Sequence, residues 1–135
     1  MARVFVVDDE PDMVDLLATI LKADGFEVET DTDGRSALAR MLAEPPDIVL
    51  LDLMMPDLDG MELLKLLRLD TRGADVPVLV VSARSGHQDQ LGTLQLGANA
   101  YICKPFSPRE LVRQVRHGNI TQILEDEFFD FSLKD

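Results

Sequence analysis

The 135-residue sequence holds a single cysteine, Cys103. One thiol cannot build a disulfide framework or a cysteine metal cluster. Basic residues are scarce, 13 against 25 acidic ones, for a formal net charge of −12. Phosphate backbones need a basic face, so direct nucleic-acid binding by this segment is not expected. No apolar run approaches the roughly 20 residues of a membrane span. The opening residues, MARVFVVDDE, reach acid too soon for a secretory signal. The expected location is the cytoplasm, away from the membrane. With 46% hydrophobic and 28% charged residues the composition is that of a soluble globular chain. Its length suits one domain, large enough to bury about two-thirds of its unfolded surface. The acidity either serves solubility or gathers carboxylates around a cation, and position must decide between these.

Apolar runs alternate with helical periodicities along the chain. Residues 3–7 (RVFVV) read as a buried strand, and Pro11 suits the first turn of a helix carrying Met13, Leu16, Leu17, Ile20 and Leu21, closed by Gly25. Residues 26–31 alternate as a half-buried strand, Asp33-Gly34 signals a turn, and Ala37, Leu38, Met41 and Leu42 mark a second helix. Residues 47–52 (DIVLLD) read as a central strand buried on both faces. Asp59 and Glu62 resemble a capping box ahead of Met61, Leu64 and Leu67. Residues 77–81 form a fourth strand; Leu91, Leu94 and Leu96 mark a helix stopped by Gly97; residues 100–103 form a fifth strand. Ser107, Pro108 and Glu110 open a last helix, with Leu111, Val112 and Val115 inward and Gly118 at its end. Five βα units imply a parallel sheet covered on both faces, with ligands beyond the carboxyl ends of the strands.

At those ends stand Asp8-Asp9, Asp52, Ser82 and Lys104-Pro105. Crowded carboxylates repel unless a cation sits among them. Mg²⁺ suits such a site, taking one or two carboxylates, waters and phosphate oxygens. A lysine would attract a phosphoryl oxygen, and a serine hydroxyl could donate to another. Together they describe phosphoryl transfer to a carboxylate, with Asp52 on the central strand as nucleophile. Taken singly, Asp8 and Asp9 also read as helix caps, Asp52 as a turn residue, Ser82 as a cap and Lys104 as a surface lysine. The shared edge is what makes the set specific.

The stretches VVDDE (6–10), LLDLMMPDLDG (50–60), VVSAR (80–84) and GANAYICKPFSPREL (97–111) closely resemble the receiver (CheY-like) domain of bacterial two-component response regulators. The resemblance spans about residues 3–117 and implies a (βα)5 flavodoxin-like fold with strand order 2-1-3-4-5. It implies phosphoryl transfer from a sensor histidine kinase or phosphotransfer protein to Asp52, with Mg²⁺ as cofactor. It implies a signalling module that catalyses only its own phosphorylation and dephosphorylation. By this likeness Asp9 and Asp52 bind the metal directly, Asp8 acts through water, and Met54 offers a backbone carbonyl. Lys104 binds the phosphoryl group, its bond to Pro105 is cis, Ser82 and Tyr101 form the switch pair, and Met54 and Arg84 tune the lifetime of the phosphorylated state. One departure stands out. Where the winged-helix subfamily commonly reads GADD, with acids that pair with arginines across a dimer, this chain reads Gly97-Ala98-Asn99-Ala100 although Arg113 and Arg116 are present. A homodimer of that kind is therefore in question.

Three other readings compete. An aspartyl-nucleophile phosphatase would carry a second aspartate at position 54, where Met54 stands. A flavin carrier would want a phosphate loop in place of acidic DDEPDM. A receiver that has lost its phosphate chemistry would not keep the acids and Lys104. Residues 1–117 are expected to form the receiver. Residues 118–135, with Ile120, Leu124, Phe128 and Phe131 at helical spacing among acids, are expected to be a connector or interaction tail outside the receiver core. The stripe either folds back on its own domain or frays as a terminus, or Phe128 and Phe131 dock on a second copy or lead into an output domain.

Overall fold

The computed structural model describes residues 2–84 and 86–119. Its elements run β1 (Arg3–Val7), α1 (Pro11–Ala23), β2 (Glu27–Asp31), α2 (Gly34–Ala43), β3 (Ile48–Leu51), α3 (Gly60–Leu69), β4 (Val78–Ser82), α4 (His87–Gln95), β5 (Ala100–Cys103) and α5 (Pro108–Asn119). The sheet is five-stranded in the order β2-β1-β3-β4-β5, every neighbouring pair parallel. Of the tail expected at residues 118–135, residues 120–135 lie outside the described residues, and 118 and 119 belong to α5.

Strand side chains alternate between faces, and this divides the core in two. Val4, Val6, Ile48, Leu50, Leu79, Val81 and Ile102 pack with Leu17 and Leu21 of α1 and Leu111 and Val115 of α5. Phe5, Val7, Val49, Leu51, Val78 and Val80 pack with α2 and α3 through Ala37, Met41, Leu63, Leu64 and Leu67. A strand covered on both faces has no polar side, so its sequence reads as an unbroken apolar run. β2, on the sheet edge, has no fully buried residue.

Two helices end at left-handed glycines. Gly25, at φ 93°, lets its own N–H reach the Lys22 carbonyl and that of Phe26 the Leu21 carbonyl. Gly97, at φ 111°, does the same for α4, its N–H bonding Leu94 and that of Ala98 bonding Thr93. α5 continues through Gly118 to Asn119, beyond the stop read from the sequence. Helix ends vary by a residue or two, and glycine holds helical angles as readily as turn angles.

Packing departs from the sequence pattern in three places. Leu16 is half exposed, and the buried stripe of α1 is Val14, Leu17, Ala18 and Leu21. Leu91 and Leu94 are exposed, leaving Thr93 as the buried residue of α4. Leucines at helical spacing identify a face but not whether a sheet lies beneath it. The Asp59–Glu62 box closes on one side only: Asp59 accepts from the Met61 N–H at 2.9 Å, while Glu62 faces Lys65. No helix among the described residues is long and apolar enough to cross a membrane.

Candidate functional site: an acidic pocket around Lys104

The ladder hydrogen bonds continue one residue beyond the strands, and this fixes the site. Asp8 N–H bonds the Asp31 carbonyl at 3.3 Å, Asp52 N–H the Val7 carbonyl at 3.0 Å, and Lys104 N–H the Ser82 carbonyl at 2.8 Å. Val7 lies opposite Leu51 in register, so the next residues, Asp8 and Asp52, come side by side. Both continue the side-chain alternation that faces α1 and α5, as does Lys104 after Ile102. Three residues distant in sequence are thus delivered to one spot by backbone geometry.

Lys104 Nζ lies 2.9 Å from Asp8 Oδ2, 3.5 Å from Asp52 Oδ2 and 3.9 Å from Glu10 Oε1. Asp8 and Asp52 are only 1% and 4% exposed. Each keeps its other oxygen on the backbone two residues ahead. Glu10 N–H donates to Asp8 Oδ1 at 3.0 Å, and Met54 N–H to Asp52 Oδ1 at 3.2 Å. Those turns fix both carboxylates before any ligand arrives. The reading of Asp8 and Asp9 as helix caps does not hold, since α1 begins at Glu10 and Pro11 with no side-chain cap.

Burial pushes the Asp52 carboxyl above its ordinary value; the Met54 N–H opposes this, the Asp8 charge adds to it, and Lys104 pulls it back. Burial works against the Lys104 ammonium too, but the Asp8 hydrogen bond and the charges of Asp8, Asp52 and Glu10 outweigh it, so its pKa stands raised. An acid whose folded pKa is raised loses stability as pH climbs from its ordinary 3.8 through the folded value, and stays at that lower level above it. Asp52→Asn is therefore expected to stabilise the protein at pH 7 without divalent cations. The melting temperature should rise by a few degrees, the scale of roughly 1 kcal/mol in a domain of this size. Thermal unfolding followed by circular dichroism checks this, and a fall in melting temperature contradicts it.

Ser82 is fully buried, and its Oγ accepts from the Arg84 N–H at 3.2 Å. Tyr101 Oη donates to the Arg84 carbonyl at 2.8 Å. Burial raises the Tyr101 hydroxyl pKa against an opposing hydrogen bond with Ser82. Arg84 thus joins Ser82 to Tyr101 through its backbone. The Lys104–Pro105 peptide bond is cis. The Met54 side chain is half exposed at the rim.

Carboxylate oxygens of Asp8, Glu10 and Asp52 lie within 4.8 Å of one another. Asp9, partly exposed, is not in that group. Hard oxygen donors in this number suit Mg²⁺ better than a soft metal. Glu10 was missed in the sequence reading. The signal was its place as the third acid of VVDDE, just before Pro11, whose ring biases the preceding residue to extended backbone; Glu10 holds φ −91° and ψ 111°.

Comparison with known proteins agrees with this geometry. The response regulator receiver domain pattern matches residues 4–116. The sensory transduction protein RegX3 of Mycobacterium tuberculosis is 43% identical over 116 residues, which are 86% of this chain and 50% of that protein. The DNA-binding response regulator MtrA of Mycolicibacterium smegmatis is 39% identical over 84% of this chain and 49% of its own. The chain spans about half the length of these curated relatives. The crystal structure of the chemotaxis protein CheY4 of Vibrio cholerae superposes with a TM-score of 0.83 at 30% identity, covering 87% of this chain and 98% of that one. NtrX of Brucella abortus gives 0.83 at 32% identity, covering 96% of this chain and 30% of its own. A sheet in the order 2-1-3-4-5, a lysine held between two buried aspartates at its carboxyl edge and the match over residues 4–116 lead to one conclusion: the chain belongs to the receiver domain family of two-component response regulators.

Proposed function

We propose that this chain is a phosphorylation-switched module in which Asp52 accepts a phosphoryl group from the phosphohistidine of a sensor kinase or phosphotransfer protein. The observation that carries this reading is the meeting of Asp8, Asp52 and Lys104 at one strand edge. An Asp52 oxygen forms a bond to phosphorus as the phosphorus–nitrogen bond to imidazole breaks; the ring nitrogen takes back the electron pair and then a proton. The Met54 N–H orients the carboxylate through its other oxygen. Lys104 draws a phosphoryl oxygen and offsets the growing negative charge.

Asp9 and Asp52, with the Met54 carbonyl, would hold Mg²⁺ directly and Asp8 through water. Asp9 would have to turn its carboxylate toward the group from which it stands apart, whereas Glu10 is already close enough to contribute. When bound, the ion neutralises charge on the phosphoryl oxygens. Phosphorylation would draw the Ser82 hydroxyl from the Arg84 N–H toward the phosphoryl group and release Tyr101 to turn inward. Arg84 and Met54, at the rim, would govern access of water to the acyl phosphate. Arg113 is already paired with Glu110, and Arg116 with Asp24 and the Phe26 ring. A homodimer would therefore use contacts other than charge pairs from Asn99 and Ala100. The downstream partner is an attached output domain or a separate protein, and the site of action is the cytoplasm.

Acetyl phosphate with Mg²⁺ is expected to add one group of about 80 Da, the phosphoryl group of the transfer just described, and Asp52→Asn should add none. Intact-mass spectrometry reads both. An unmodified wild-type protein, an equally modified variant, or continuous phosphate release without an acyl-phosphate intermediate would overturn the reading.

A further inference from the structure

Gly60 opens α3, and its position raises a question of chemistry rather than conformation. Its φ is not positive; among the described glycines only Gly25 and Gly97 are left-handed. No left-handed backbone calls for a glycine here, so conformational freedom does not explain it. Contact does. A Cβ on Gly60 would overlap the carbonyl oxygen of Asp52 and stand 2.6 Å from Leu53 Cα and 3.0 Å from the Asp52 carbonyl carbon. These are backbone atoms, with no flexible end to swing aside. The Gly60 N–H also donates to the Leu53 carbonyl at 3.0 Å. The first turn of α3 therefore rests directly on the peptide that follows Asp52.

That peptide has little freedom to yield. Leu53 is 1% exposed, Leu63 and Leu64 of the same helix are fully buried, and the Asp52 N–H is held by β1. A displacement at Gly60 passes into the Asp52 backbone and changes where its carboxylate stands relative to Lys104 and the Met54 N–H. We propose that Gly60 is a positioning residue for phosphorylation: its missing side chain lets α3 seat against the Asp52–Leu53 peptide and set the Asp52 carboxylate. The proposal rests on Asp52 being the acceptor. It adds that the start of α3 and the acceptor move together.

The test uses the full chain and three variants. Gly73→Ala is the control, because a Cβ there meets Leu67 O at 2.6 Å, a comparable clash away from the acid pocket. Phosphorylation by acetyl phosphate with Mg²⁺ is timed by mass spectrometry well below every melting temperature. Gly60→Ala is expected to slow at least tenfold while Gly73→Ala stays within twofold of wild type. A merely structural role would move both melting temperatures and neither rate. A folded Gly60→Ala that phosphorylates within twofold of wild type overturns the proposal. Asp59→Ala removes the cap on Met61 N–H and loosens the same turn without adding volume; if Gly60→Ala does not fold, this variant decides. A several-fold slower rate supports the proposal, and an unchanged rate overturns it. A wild-type protein that takes no phosphoryl group at all fails the acceptor reading instead, which separates the two.

Discussion

Lys104→Met is expected to cost about 3 kcal/mol of unfolding free energy at neutral pH in the absence of divalent cations. The ammonium lies 2.9 Å from Asp8 and 3.5 Å from Asp52, and both carboxylates are buried. Removing it leaves two close negative charges with little access to water, the situation in which breaking a buried pair is most destabilising. Asp8→Asn added to Lys104→Met should recover most of the loss. So should Mg²⁺, which replaces the missing charge and should bind at least as well without a competing ammonium. The sign of the pH dependence follows from the raised Lys104 pKa. A raised lysine contributes stability that is fully present below its ordinary 10.5 and is lost as pH climbs through the folded value, so the lysine contribution should hold steady across the neutral range. Urea unfolding with and without Mg²⁺ measures all of this. A loss below about 1 kcal/mol, the value of an exposed pair, would contradict the buried-pair account.

Arg68→Ala should destabilise by about 2–3 kcal/mol, since hydrogen bonds to a charged group are strong and the carbonyls it serves would be left bare. Arg68 closes α3 against two loops. Its Nε and Nη2 donate to the Gly97 carbonyl at 3.1 and 2.8 Å, and Nη1 to the Gly73 carbonyl at 2.8 Å. Nη2 also reaches Asn99 Oδ1 at 3.2 Å, which accepts from the Val78 N–H as well. One guanidinium therefore joins the α3–β4 loop to the α4–β5 loop and braces the start of β4. Gly97 makes the approach possible, because a Cβ there would stand 2.9 Å from Nε. Arg68→Lys should restore only a minor part, because a point charge cannot serve three separate acceptors as a planar fork does. Thermal or urea unfolding distinguishes these outcomes; equal stability of wild type and Arg68→Ala would show that water replaces the network without loss.

The order of elements was legible because each signal was local. Residues 48–51 and 78–81 are buried throughout, and their unbroken apolar runs announced it. Gly25 and Gly97 marked helix ends because a left-handed residue after a helix favours glycine. Asp8, Asp52, Ser82 and Lys104 were legible as candidates since polar residues closing apolar strands point to the carboxyl edge of the sheet. Less legible were the leucines of α4. Leu91 and Leu94 obey helical spacing, yet they face solvent, because whether a face is buried depends on what the rest of the chain sets against it.

What the sequence by itself determined was the kinds of residue available and the strand ends at which they wait. The tertiary structure decided which of them touch. Parallel register set Asp8 beside Asp52, and the side-chain alternation of β5 aimed Lys104 between them. The bend before Pro11 brought Glu10 into the group and left Asp9 outside it. Packing alone revealed Arg68 as a brace, and Gly60 as the point where α3 meets the peptide after Asp52. The physical reason is one of range. Turn preferences, caps and periodicity act over a few residues and are written in them. Ion pairs and steric contacts act over a few ångströms between residues up to 96 positions apart, and only the folded sheet brings those together.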